Sequence, residues 1–106
     1  MRAALLRIYI SENDTYKGKS AHSQIIEFLR DSGVSGATAL HGIEGYGVHS
    51  KIHTASILRL AGDLPVIVEA VENEDKIRPL IPKVKEMVPG ELITLQEVEI
   101  AAGENI

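Results

Sequence analysis

The sequence predicts an α+β fold: a four-stranded antiparallel sheet with two helices packed on one face. Three observations carry this. Stretches of period-two hydrophobicity are followed by stretches of helical periodicity, twice over, in the order strand–helix–strand. The two halves echo each other: Arg7-Ile8-Tyr9-Ile10-Ser11-Glu12-Asn13 is matched by Val66-Ile67-Val68-Glu69-Ala70-Val71-Glu72-Asn73. A Gly-rich segment, Gly42-Ile43-Glu44-Gly45-Tyr46-Gly47, separates them. A β-α-β unit repeated in this way has the order of the ferredoxin-like βαββαβ topology, here expected as a single domain over residues 1–106.

The first strand is expected from Ala3 to Ser11, where Leu6, Ile8 and Ile10 alternate with Leu5, Arg7, Tyr9 and Ser11. A polar turn follows from Glu12 to Lys19. Ser20 is placed to cap a helix ending near Asp31, with Ile25, Ile26, Phe28 and Leu29 as its buried stripe and Gly33 just beyond its C-terminus. A second strand is expected from Ala37 towards Ile43. A polar segment with two histidines follows, and then a strand from Ser56 to Ala61. Leu64 to Val71 is the most strand-like run of the chain, and it should pair with the second strand as a hairpin whose tip is the Gly/His segment. Asn73 or Asp75 can cap a second helix whose apolar positions are Ile77, Leu80, Ile81, Val84 and Val88. Pro79 and Pro82 predict a late or kinked start, because proline lacks the donor an inner turn requires. Pro89-Gly90 ends that helix, Leu92 to Ile100 is the last strand, and a frayed tail is expected from about Ala101.

A two-layer fold of this kind covers one sheet face with helices. The first and third strands carry apolar residues on both faces, so the bare face is expected to be a subunit interface.

Composition narrows the function. The net charge of −4 is a poor footprint for nucleic-acid binding, which draws on phosphate neutralisation. With no tryptophan and one phenylalanine, a base-stacking platform is not expected. The absence of cysteine removes disulfides, thiolate nucleophiles and Cys-ligated metals. There is no apolar run long enough to cross a bilayer, and Arg7 interrupts what would have to be the apolar stretch of a signal peptide. The chain is therefore expected to be cytoplasmic and not membrane-inserted.

Three groups of residues could carry function. Gly42, Gly45 and Gly47 would let backbone amides approach a phosphate or carboxylate, or would simply serve a hairpin turn or bulge. They form neither a P-loop nor a dinucleotide fingerprint. Tyr16-Lys17-Gly18-Lys19-Ser20 puts two lysines and an aromatic ring before a helix N-terminus, where an anion can be attracted, with a solvated loop as the plain alternative. Lys51 and Arg59 could add charge from the hairpin. His49 and His53, four apart, would face one metal on a helix and are much looser on an extended hairpin. No nucleophile elbow is present, and the carboxylates Glu12, Asp14, Glu72, Glu74 and Asp75 are expected in solvated turns; the chain does not read as an enzyme.

Two segments resemble the PII signalling proteins. Glu27-Phe28-Leu29-Arg30-Asp31-Ser32-Gly33-Val34-Ser35-Gly36-Ala37-Thr38 looks like their first helix and second strand, and Gly42-Ile43-Glu44-Gly45-Tyr46-Gly47 looks like the base of their long T-loop. The match is closest to the PII-like group called domain of unknown function 190, which combines a Gly-Ile-x-Gly-aromatic-Gly hinge with a Tyr/Lys/Gly-containing loop before the first helix. The resemblance implies a homotrimer that binds effectors such as ATP and ADP in clefts between subunits. It also implies a loop that contacts a regulated partner, often a membrane transport protein or an enzyme. On this reading the ligand-binding residues are Gly42, Gly45, Tyr46, Gly47, Tyr16, Lys17, Lys19 and Lys51, for an adenine nucleotide or another small anionic effector. Two departures are visible. Where PII proteins carry a Gly-rich, Lys-bearing phosphate loop between the second helix and last strand, this chain has only Pro89-Gly90-Glu91. Its loop after Gly47 is short, and Tyr46 sits inside the hinge. The alternative is a CutA-like metal-binding trimer, with His49 and His53 as ligands.

Overall fold

The computed structural model describes residues 2–46 and 64–103. Strand β1 (Ala3–Ser11) is followed by a small hairpin, β2 (Thr15–Tyr16) and β3 (Lys19–Ser20), and then helix α1 (Ala21–Asp31) and strand β4 (Thr38–His41). The second half runs β5 (Pro65–Asn73), α2 (Glu74–Ile77), a 3-10 turn (Arg78–Leu80), α3 (Ile81–Met87) and β6 (Leu92–Val98). The four long strands form one sheet in the order β4-β5-β1-β6, antiparallel throughout. This is the predicted ferredoxin-like arrangement, with the first strand of each half side by side at the centre.

The core follows from the alternation. Ala4, Leu6, Ile8 and Ile10 of β1 and Val66, Val68 and Ala70 of β5 are buried on the helix side. Against them pack Ala21, Ile25 and Leu29, spaced four apart along α1, and Ile77, Val84, Met87 and Val88 of the second helical region. Phe28 and Ile26 flank this stripe, partly buried. Truncating a fully buried leucine such as Leu29 to alanine in a core of this kind costs about 2–5 kcal/mol.

Several boundaries differ from expectation for identifiable reasons. Ser20 does occupy the N-cap position of α1, but its hydroxyl makes no capping bond and is buried without a partner. The Ala21 amide is instead satisfied by the Asp14 carbonyl, because the β2–β3 hairpin turns the chain back over the helix start. Asn73 caps α2 as expected, its side chain accepting from the Asp75 amide. The two prolines split the second helix: Pro79 lies in the 3-10 turn, and Pro82 falls in the first turn of α3, where its missing N–H costs no helical bond. Gly33 and Gly90 have φ of 89° and 82°, the left-handed conformation that ends a helix without Cβ strain. Strand β4 is shorter than expected, stopping at His41, and the strand expected over Ser56–Ala61 lies outside the described residues.

Glu72 overturns the expectation that the carboxylates sit in solvated turns. It continues the inward register of Val66, Val68 and Ala70 and is fully buried. Its Oε1 accepts from the Ser35 amide at 3.0 Å and its Oε2 from the Asn73 amide at 2.9 Å, while Lys76 Nζ stands 3.7 Å away. Lys76 also donates to the Gly33 carbonyl. The turn after α1 is thereby bound to the end of β5.

Candidate functional site

The register brings the candidate residues to one end of the sheet. Ser11, the last residue of β1, is opposite Pro65, the first of β5; His41, the last of β4, is opposite Val66; and Tyr9 is opposite Leu92, the first residue of β6. The Gly-rich segment, the Lys-bearing hairpin and the Pro89-Gly90 turn all leave the sheet at this end.

At the base of the Gly-rich segment, Gly42 donates its amide to the Pro65 carbonyl at 2.7 Å. A Cβ at position 42 would stand 2.7 Å from Pro65 Cγ, so only glycine permits this approach of the two strands. The Gly42 N–H is therefore committed to the hairpin base and is not among the amides open to a ligand. A Cβ at Gly45 would meet Pro65 Cγ only at 3.9 Å, an ordinary contact. Ile43 and Tyr46 are exposed. Gly47, Lys51 and the expected metal pair His49 and His53 lie outside the described residues. Among the described residues no group of three or more His, Asp or Glu side chains is placed to hold a metal ion.

The hairpin holds the second group. Tyr16 and Lys19 pair across a two-residue turn in which Lys17 and Gly18 both have positive φ, 52° and 78°. This backbone matches the twist of a tight hairpin. Tyr16 is partly buried, and Lys17 and Lys83 place their ammonium groups 5.3 and 5.4 Å from the centre of its ring. Lys83 Nζ donates to the Tyr16 hydroxyl at 3.0 Å, and that hydroxyl stands 3.3 Å from Glu86 Oε1 as a donor. The hydroxyl, with support from Glu86, raises the Lys83 pKa above its ordinary value. Sequence reasoning found Tyr16 and Lys17 but missed Lys83 and Glu86. Their i, i+3 spacing is visible in the sequence, but their contact with a hairpin almost seventy residues earlier is not.

The opposite end of the sheet carries a shallow depression of about 590 Å³ beside Ser35, Val71, Val98 and Glu99. Among the described residues no lysine, arginine or histidine lines it, so the lining they provide does not favour an anion.

A four-stranded sheet with one helical layer, built from α1 and the second helical region, on one face and a Gly-rich excursion between its second and third long strands is the PII-like form of the ferredoxin-like fold. Solved structures agree. The chain matches CPII, a nitrogen regulatory PII-like protein from Thiomonas intermedia K12 bound to ADP, AMP and bicarbonate, with a TM-score of 0.70 at 16% identity, over 96% of this chain and 91% of that one. It matches CPII bound to ADP and bicarbonate with a TM-score of 0.65 at 19% identity and the same coverage. The chain belongs to the DUF190 family (Uncharacterized ACR, COG1993), whose profile matches residues 3–100. Relatives include a UPF0166 protein of Methanocaldococcus jannaschii, 36% identical over 105 residues, 98% of this chain and 96% of the relative. Another, from Aquifex aeolicus, is 35% identical over 100 residues, 94% of each chain.

Proposed function

We propose that this chain is the subunit of a homotrimeric PII-like regulatory protein. It would bind a small anionic effector, an adenine nucleotide first, in the cleft between subunits and act on a partner through the Gly-rich segment. One observation carries the reading: the Gly-rich segment and the Lys17/Lys19 hairpin emerge from the same end of the sheet. Backbone amides of a Gly-rich segment and positive charge on an adjacent element suit a phosphate-bearing ligand. Lys17, Lys19 and Lys51 supply the charge. Gly45 and Gly47 supply close backbone approach and Tyr46 a ring for packing, while Gly42 shapes the base. Tyr16, already flanked by two ammonium groups, offers a ring on which a base can pack. The ADP, AMP and bicarbonate named for the structurally similar CPII support the ligand class. A membrane transport protein is the first partner class to test; among the described residues no helix is long and apolar enough to cross a membrane itself.

The test is thermal unfolding with ADP, AMP and bicarbonate at millimolar concentration. A ligand at about 100 times its Kd stabilises the folded state by about 2.7 kcal/mol, a readily measured rise in Tm. The reading expects that rise with ADP or AMP, and its loss in a Lys17→Ala/Lys19→Ala variant. An unchanged Tm with all three ligands removes its basis.

A further inference from the structure

Glu12 follows directly on β1, beyond the residues of the proposed effector site, and its bonds reach both sides of the Gly-rich excursion. Its Oε2 lies 2.9 Å from His41 Nε2, with the ring N–H donating. His41 is the last residue of β4 before the chain departs. The other carboxylate oxygen, Oε1, accepts from the amide of Leu64 at 3.2 Å, where the chain returns. The Glu12 amide donates in turn to the Leu64 carbonyl at 2.9 Å. Just inside these bonds the Gly42 amide donates to Pro65. β5 lies between β4 and β1 in the sheet, so this carboxylate spans the end of the central pair to reach the edge strand.

We infer that Glu12 is a positioning residue, a clasp that ties the departure and the return of the excursion to β1. A surface loop bonded only to itself can shift its base along the sheet edge. One carboxylate holding both ends fixes the base to the most deeply buried strand of the fold, whose Leu6 and Ile8 are fully buried. Glu12 is only partly exposed, and its bond to the Leu64 amide is partly buried, which shields that bond from full solvent competition. The nearby Asp14 carboxylate does not substitute for it, because its Oδ2 is taken by the Ser11 amide. The clasp rests on this geometry alone and stands whether or not an effector binds.

Amide hydrogen exchange on the full-length, ligand-free protein tests it by cross effects. His41→Ala removes one arm and leaves the Leu64–Glu12 bond chemically intact; Glu12→Ala leaves the Gly42–Pro65 bond intact. If one carboxylate couples the two ends, His41→Ala speeds exchange at Leu64 and Glu12→Ala speeds exchange at Gly42, each by about fivefold, the loss expected of one ordinary hydrogen bond. Exchange at Ile8 and Val68 stays as in the wild type. If either cross effect is absent, the bonds are independent and the clasp is overturned. If Glu12→Ala does not fold, exchange at Leu64 in His41→Ala decides alone.

Discussion

Glu72 shows how a single charged residue can be set by its register. Burial by itself pushes its pKa up, but the amides of Asn73 and Ser35 and the charge of Lys76 together outweigh that and hold it below the ordinary value of 4.5. A carboxylate whose folded pKa is depressed stabilises the fold above its unfolded pKa and loses that contribution as pH falls through the folded value. Urea unfolding should therefore show stability falling as pH drops below about 4.5. Glu72→Gln keeps the shape but loses the charge. It should be less stable at pH 7 by about 1–3 kcal/mol, because the amides of Ser35 and Asn73 lose a charged acceptor. It should also show a weaker acid dependence than the wild type; an equal dependence would mean that Glu72 is not the group responsible. The sequence contained the signal for its burial, since Glu72 is in phase with Val66, Val68 and Ala70. Its neighbours Asn73, Glu74 and Asp75 masked it by making the stretch look like a solvated turn. Glu12 was masked in the same way: a polar residue after a strand looks solvated until the partners His41 and Leu64 are placed beside it.

At the scale of elements, periodicity and punctuation located the long strands and α1, because local rules decide them: alternation for β1 and β5, helical spacing for Ile25 and Leu29, glycine at position 33. The kink at Pro79 and Pro82 was legible for the same reason. The β2–β3 hairpin was not. Two-residue strands have no period, and what secures them is the long-range contact of Tyr16 with Lys83 and Glu86. Tyr16→Phe tests that contact. Without the hydroxyl, the raised pKa of Lys83 should fall back towards its ordinary 10.5, as followed by NMR titration of the lysine side chain. Faster amide exchange at Lys19 should accompany it as the hairpin loosens. An unshifted Lys83 would show that the hairpin and α3 are not joined there.

The whole molecule has one helix-covered sheet face and one that no element among the described residues covers. On the open face Leu40, Ile67, Tyr9 and Leu92 align across the four strands, and Leu5 and Val71 form a second apolar group. Between them Arg7 Nε lies 3.2 Å from Glu69 Oε2, so the one ion pair at the centre of the face neutralises itself. Leu40, Val71 and Leu92 are exposed in the isolated chain. A contiguous apolar surface of this breadth commonly marks a surface for association, the expectation that the alternation in β1 and β5 had already raised. The number of copies was not legible in the alternation; the proposed trimer draws on the PII resemblance, and the proposed effector cleft would exist only between subunits. Sedimentation velocity of the ligand-free protein at micromolar concentration therefore tests the account most directly. The account predicts a single species of about three times the 11.5 kDa of one chain. A monomer at that concentration would leave the open face uncovered and the cleft without a second wall, and would contradict it.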